Sequence, residues 1–376
     1  MKILFVSMNS IHFRRWSDQL RDNGHEVYWF DVKDQGYAPS MSWMTQITGW
    51  KKGFLKKRGR TFIKNKFPLF YKILVRKFDH PIEDAFAKAL REIEPDIVHS
   101  FALYTSCLPI LSTMNQFNLL PWIYSSWGSD LFNKENKPNY LNEVPLVLKR
   151  VDYLITDCHR DFIIAKENGF KGRFLGVYPG GGGFNIPKVS IEDKDYELII
   201  IKGYENKLGK AFNAVEAFIE IKKVNPYLKA IVFGATNELL EMIERQNIVL
   251  DDSLIIQGTM SYEELYKLML KAGYYIGNSL SDGMPNTLLE AICCGTFPIQ
   301  SNPGNVTSEI INHEINGLLI NNALDSQEIA KLLRLAVSDT AMVQKAFDIN
   351  RGLAKVQLDF SLIQEKVLRC YECIKP

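Results

Sequence analysis

Two acids, Asp282 and Glu290, stand eight positions apart in the segment Ser279-Leu280-Ser281-Asp282-Gly283-Met284-Pro285-Asn286-Thr287-Leu288-Leu289-Glu290-Ala291. A Gly-x-Pro-Asn-Thr turn separates them. The run before it, Ala272 to Asn278, reads as a buried strand, and the run after it, Thr287 to Cys294, reads as a helix. Asp282 is therefore expected at the carboxyl end of a strand, and Glu290 about one turn into the next helix. Backbone from Gly283 through Met284, Pro285, Asn286 and Thr287 to Leu288 opens that helix. Unpaired N–H groups and the positive end of a helix dipole face the same space there, which suits an anion. A diphosphate fits, and a carboxylate on either side can hold flanking hydroxyls, such as those of a ribose and a sugar. Ser279, at the head of the segment, joins this donor-binding set. The plain alternative is a solvated loop acid followed by an ordinary helix acid.

The spacing resembles the E-x7-E signature of retaining nucleotide-sugar glycosyltransferases of family 4, with Asp282 where that family usually has Glu. The run Leu289-Glu290-Ala291, then Gly295-Thr296-Phe297-Pro298-Ile299, is similar to the family's L-E-A-x-x-x-G-x-P-V. The resemblance implies the GT-B fold: two Rossmann-like parallel-sheet domains of α/β class facing across a cleft, with a C-terminal helix returning to the first domain. It also implies transfer of a hexosyl-type group with its anomeric configuration kept, the departing phosphate helping to deprotonate the acceptor. Asp282 would then hold hydroxyls of the donor sugar, Glu290 the nucleotide ribose, and Gly283 to Thr287 the diphosphate.

Release of a diphosphate develops negative charge that cations or amides must meet. The segment Ile201-Lys202-Gly203-Tyr204-Glu205-Asn206-Lys207-Leu208-Gly209-Lys210-Ala211 is similar to the family's G-R-L followed by K-G. Tyr204 stands where the family has Arg. Lys202, at a strand end, is expected to take over that charge. The resemblance gives Lys210 the family's Lys role, with Lys207 as a nearby rival. Solvent exposure is the plain reading for each lysine. No D-x-D follows a strand. Asp193-Lys194-Asp195 has the letters but reads as polar linker. No metal and no cofactor is expected, and the nucleotide-diphosphate sugar enters as substrate.

The first domain should take the acceptor. Asn9 and Ser10 follow the first strand, where the family often has a glycine-rich loop. Ser125-Ser126-Trp127-Gly128-Ser129-Asp130 resembles the family's His-Gly-x-Asp segment, with Trp127 in place of His. Trp127 could stack on a sugar and Asp130 bind hydroxyls, or the pair could be a core Trp and a capping Asp. His99 ends a strand and His12 lies in the first loop. A structural role is the plain reading for both.

The elements must position these groups. The chain has 376 residues, 46% hydrophobic and 23% charged, which suits two soluble domains. Short β-rich runs alternate with amphipathic stretches, as in parallel sheets with crossover helices. Four glycines, Gly180 to Gly183, interrupt the pattern before it restarts. The expected division is 1–185 plus about 358–376 for the acceptor domain and 190–357 for the donor domain. Ligands bind at strand carboxyl ends in such sheets.

Six cysteines show no disulfide framework, and Cys370-x-x-Cys373 has no partner pair for a zinc site. The opening MKILFVSMNS reads as a strand, not a signal peptide. No apolar run reaches the roughly 18 residues of a membrane span. A cytoplasmic protein is expected. Net charge is only +2, yet Gln35 to Phe78 holds no acid. Lysines and arginines there alternate with aromatics. This suits an anionic membrane surface through residues 50–77, which would put the protein peripherally on the membrane's inner face. A solvated helical pair and nucleic acid are the competing readings. No nucleic acid partner is expected. The overall expectation is a metal-independent glycosyltransferase acting on a glycan or lipid-linked acceptor, in cell-surface polysaccharide or glycoconjugate synthesis. An epimerase on the same fold and an inactive binding subunit are the alternatives. Tyr204, Trp127 and Asp282 are the departures that keep the inactive subunit in play.

Overall fold

The computed structural model describes residues 1–51, 66–67, 81–132 and 139–374. The basic interval 50–77 lies outside the described residues except for Trp50, Lys51, Lys66 and Phe67. Two compact units make up the chain. The first comprises Met1–Thr156, Phe162–Gly181 and Val367–Pro376; the second comprises Asp157–Asp161 and Gly182–Lys366.

The first unit is built on seven parallel strands: β1 (Lys2–Ser7), β2 (Glu26–Asp31), β3 (Thr45–Ile47), β4 (Ile97–Phe101), β5 (Trp122–Ser125), β6 (Tyr153–Thr156) and β7 (Arg173–Val177), in the order β3-β2-β1-β4-β5-β6-β7. The central strands β1, β4 and β5 are buried almost throughout, as expected where helices cover both faces. Its helices include α1 (Ile11–Asp18), α2 (Ile82–Ile93), α3 (Leu111–Gln116), α4 (Tyr140–Leu148) and all but the first three residues of α5 (His159–Glu167), which fall in the second unit. The sequence predicts one helix over Thr105–Phe117. The chain instead makes a π turn at Leu103–Cys107 and a 3-10 turn at Leu108–Ile110 before α3. Pro109 lacks an amide and crowds the preceding turn, which disrupts regular α-helical bonding there.

The second unit carries six parallel strands: β8 (Asp195–Lys202), β9 (Lys229–Phe233), β10 (Leu254–Ile256), β11 (Ala272–Gly277), β12 (Phe297–Ser301) and β13 (Leu318–Ile320), in the order β10-β9-β8-β11-β12-β13. Between and after them run α6 (Ala211–Lys222), α7 (Asn237–Arg245), α8 (Tyr262–Lys271), α9 (Asn286–Cys293), α10 (Ser326–Ser338) and α11 (Thr340–Leu353). Its core has two faces. Ile199, Ile201 and Ile276 pack with α6 and α10, while Ile200 and Tyr275 pack with Leu289 and its neighbours on α9 on the other side. Alternate residues of one strand serve opposite layers, which is the period-two rule of a strand covered on both faces.

The last helix, α12 (Phe360–Glu372), begins in the second unit and ends in the first. At its start Phe360 N–H donates to Phe184 O (2.9 Å) and Phe184 N–H to Leu358 O (2.7 Å). Gly183 lies against this contact: a Cβ there would come within 2.5 Å of Phe360 Cα, so only glycine fits. At its other end Tyr371 is fully buried. Its hydroxyl lies 2.6 Å from His99 Nδ1 and accepts from Trp16 Nε1 at 3.4 Å. No helix of the described residues is long and apolar enough to cross a membrane.

Candidate functional site

In the second sheet the winding reverses between β8 and β11. Crossovers leave that point toward opposite faces, so the strand carboxyl ends there stay open to a ligand. Lys202 is the last residue of β8, and the loop Asn278–Pro285 leaves β11. Main-chain bonds join the two loops. Lys210 N–H donates to Asn278 O (3.0 Å) and Leu280 N–H to Leu208 O (2.8 Å). The Asn278 side-chain amide adds bonds to Lys210 O (2.9 Å) and Ala323 O (2.8 Å). Ser279 N–H donates to Ser301 Oγ at the end of β12 (2.8 Å). Ser279 thus fixes the loop with its amide, and its own hydroxyl lies 3.4 Å from that of Ser301.

Helix α9 starts at this point. Pro285 is its N-cap, with φ −67°, and contributes no side-chain acceptor. First-turn amides of a helix have no intrahelical acceptor, so this end offers N–H groups and the positive dipole end to an anion. Gly283, Pro285 and Leu288 are buried, while Met284, Asn286 and Thr287 are part-exposed. The two acids differ. Glu290, on the inner face of α9, is only 6% exposed. The side chain of Asp282 is 33% exposed, and its Oδ2 lies 3.9 Å from Lys202 Nζ. Burial raises the Asp282 pKa; Lys202, the Gly283 N–H and Arg160 oppose that rise.

Lys202 is held on two sides. Beyond Asp282, its Nζ sits 4.9 Å from the centre of the Tyr204 ring, a cation–π contact. That ring rests on Gly234, where a Cβ would come within 2.9 Å of it. Tyr204, in the place of the expected Arg, therefore supports a cation rather than supplying one. Lys210 is more constrained. Its Nζ donates to Asn206 O (2.7 Å) and lies 3.4 Å from Glu205 Oε1. Glu205 is buried, and its other oxygen accepts from Phe212 N–H (2.8 Å), capping α6. Lys207, the rival, is exposed.

The segment Asp157–Asp161, which follows β6, belongs to this unit. Asp157, Cys158 and Asp161 are buried and bring one carboxylate or thiol atom each within 4.8 Å of one another. Burial, joined by the charge of Asp161, lifts the Asp157 pKa well above its ordinary value. Burial also raises Asp161, against the pull of Arg160. Arg160 donates from Nε (2.9 Å) and Nη2 (2.8 Å) to Asp161 Oδ1. Its Nη2 also donates to Asp282 O (2.8 Å) and its Nη1 to Pro303 O (2.8 Å). The amides of His159 and Arg160 donate to the Glu309 carboxylate (2.7 and 2.9 Å).

In the first unit, Trp127 lies part-exposed between Phe101, with ring centres 5.6 Å apart, and His12, at 5.7 Å. Asn9 is half-buried nearby in sequence, and its Oδ1 has no hydrogen-bond partner. Three further predicted residues make hydrogen bonds within this unit. Ser10 caps α1 by accepting from Phe13 N–H (3.2 Å). Asp130 Oδ2 accepts from Leu103 N–H (2.9 Å), Tyr124 Oη (3.1 Å) and Trp127 N–H (3.4 Å). His99 is fully buried, and its Nε2 lies 2.8 Å from Ser125 Oγ. The two ring nitrogens of His99 thus each face one hydroxyl, Nδ1 that of Tyr371 and Nε2 that of Ser125. Burial lowers the His99 pKa well below its ordinary value, so the ring is neutral.

Residues 184–350 match the family described as glycosyl transferases group 1. That interval covers most of the second unit. The whole chain resembles solved structures at low identity. HepE of Anabaena, solved with UDP and with UDP-glucose, matches at TM-score 0.72 and 15% identity over 100% of both chains. Sucrose-phosphate synthase from Thermosynechococcus elongatus matches at TM-score 0.73 and 15% identity, over 99% of this chain and 98% of that one. A glycosyltransferase from Rickettsia africae matches at TM-score 0.65 and 16% identity, over 99% and 97%. The two parallel-sheet α/β units are those of the GT-B fold.

The structure brings Lys202, Lys210, Ser279, Asp282 and the start of α9 to one place, with Glu290 one turn behind. Sequence reasoning passed over Arg160, Asp157, Asp161 and Glu205. Asp157-Cys158-His159-Arg160-Asp161, a charged run directly after a parallel strand, was the available signal. Asp193 and Asp195 do not form a site: Asp193 accepts from Ser190 N–H (2.8 Å) and Asp195 opens β8. The stretch between them is not polar linker, because Lys194 is buried.

Proposed function

We propose that this protein is a retaining glycosyltransferase that uses a nucleoside-diphosphate sugar. One observation carries the reading: at the β8/β11 switch point, a helix start with no side-chain cap adjoins a lysine paired with a part-exposed aspartate. In this reading the diphosphate lies against the amides that open α9. Lys202 and the remaining N–H of Lys210 meet its developing charge, with no metal or other cofactor given a role. Asp282 takes hydroxyls of the sugar and Glu290 the ribose. The departing phosphate accepts the acceptor's proton. The match to glycosyl transferases group 1 supports the transferase class, and the UDP and UDP-glucose complexes of HepE make UDP-glucose the first donor to try.

Asn9 and Trp127 are assigned to the acceptor, Trp127 by stacking on a sugar ring. The acceptor class is a glycan or a lipid-linked sugar, and the setting is polysaccharide or glycoconjugate synthesis at the cytoplasmic membrane face. The interval 50–77, with its lysines, arginines and aromatics, supports that setting. Salt-sensitive co-sedimentation with anionic vesicles tests it; no binding at low salt removes the membrane from the reading.

The main test is ligand stabilisation. UDP, GDP, ADP and CMP are each added at about a hundred times a ligand's Kd; the matching nucleotide then adds about 2.7 kcal/mol. For a unit of this size that raises Tm by several degrees. Glu290→Ala should abolish the shift, and Glu290→Ala or Lys210→Ala should slow UDP-glucose turnover. No shift with any nucleotide, and unchanged turnover in both variants, would defeat the reading. Epimerised donor in the absence of acceptor would replace it with the epimerase.

A further inference from the structure

The buried guanidinium of Arg160 ties together parts of the second unit that are far apart in sequence. Its side chain is only 10% exposed. It reaches the carbonyl of Asp282, in the loop after β11, and that of Pro303, in the turn after β12, both at 2.8 Å. Asp161, fully buried, fixes the near edge of the fork through Nε and Nη2. Glu309 fixes its backbone by taking the amides of His159 and Arg160. A planar fork held at one edge has no freedom left at the other, so the two carbonyls are set at a fixed separation. Lysine, with one nitrogen, cannot do this.

We propose that Arg160 is a positioning residue for sugar transfer: it places the Asp282 backbone, and through it the carboxylate that faces Lys202. This rests on the function proposed above. Misplacing a group that meets the transferred sugar by about 1 Å costs up to about a hundredfold in rate. The effect should fall on kcat, because the diphosphate amides and Glu290 still bind the donor. Arg160 also opposes the rise in the Asp282 pKa. The other charged or titratable groups that act on Asp282 are Lys202, Asp157 and Tyr275. Removing Arg160 lets that pKa rise further, and the acid limb of the rate profile moves to higher pH.

The experiment compares wild type with Arg160→Gln and Arg160→Lys. Amide hydrogen exchange is followed over residues 280–288 and 304–306, and steady-state kinetics are run with UDP-glucose across pH. In Arg160→Gln we expect exchange at Gly283 and Gly304 at least about tenfold faster. We expect kcat to fall about ten- to a hundredfold, KM for UDP-glucose to change less than about threefold, and the acid limb to move upward. Arg160→Lys should fold and recover part of kcat. Unchanged exchange in both variants overturns the proposal, and so does faster exchange with unchanged kcat. If wild type turns over no nucleotide sugar, the proposed function fails, while exchange still decides whether Arg160 holds the loop.

Discussion

Lys194 offers a measurement on the second unit that needs no substrate. It is buried, and its Nζ donates to Met269 O (2.9 Å) and Thr296 Oγ1 (3.2 Å). Burial brings its pKa down from 10.5 to about 8, with Arg351 adding to the drop and Cys294 opposing it. The unfolded chain keeps the ordinary value, so between pH 8 and 10.5 the unfolded state holds the extra proton. Stability must rise with pH across that window. A drop from 10.5 to about 8, at about 1.4 kcal/mol for each tenfold, amounts to about 3 kcal/mol. Lys194→Met removes the titration. It also leaves no orphaned acceptor, because Thr296 Oγ1 still donates to Met269 O at 2.6 Å. At pH 7 the variant should therefore be at least as stable as wild type. Urea unfolding of both proteins at pH 7, 8, 9 and 10 measures the difference. Between pH 7 and 10 wild type should gain on the variant by about 2.5 kcal/mol, most of it above pH 8. A difference constant to within about 0.5 kcal/mol over that range would refute the reasoning.

Two further outcomes are expected. Lys202→Met removes a charge 3.9 Å from Asp282 in a part-exposed setting, where such a pair is worth between about 1 and about 4 kcal/mol. Taking about 2 kcal/mol for two partly solvated groups, kcat/KM with UDP-glucose should fall about thirtyfold; a loss under threefold would clear Lys202 of the role. His99 is neutral when folded, because its pKa is lowered, so wild-type stability should decline as pH falls below 6.5, by up to about 1.4 kcal/mol per pH unit. His99→Gln should lose stability overall but flatten that decline, as read by urea unfolding at pH 7, 6 and 5; an equally steep slope in the variant would show that another group is responsible.

Much of the fold was legible because parallel strands buried on both faces write long apolar runs. The sequence reads as strands over Lys2–Ser7, Trp122–Ser125, Tyr153–Thr156, Arg173–Val177 and Lys229–Phe233, which are β1, β5, β6, β7 and β9, and as helices over Ile82–Ile93 and Tyr262–Lys271, which are α2 and α8. What escaped was short or broken. β3 and β13 have three residues each, too few for any period to show. No strand or helix is expected between β12 and α12, yet Asp325 and Asp339 cap α10 and α11 there. At the site, the motif around Asp282 was legible because backbone geometry there is local: strand, turn and helix follow in sequence. Arg160 was not, since its partners Asp282 and Pro303 lie more than a hundred residues away. His99 shows the converse. A strand placed it near the carboxyl ends, but nothing local says that a tyrosine 272 positions later will cover it.

That distant tyrosine bears on how the protein is made. Ser125, His99, Tyr371 and Trp16 form one hydrogen-bonded chain through the dry centre of the amino-terminal unit. Emerging from the ribosome, the first sheet lacks Tyr371, so His99 Nδ1 and Trp16 Nε1 have no partner until the rest of the polypeptide is synthesised. The glycine-to-lysine stretch 182–366 can mature first, reversing the order in which the two halves appear. Proteins shortened before residue 371 should accordingly collapse at the amino-terminal half, far in sequence from the cut.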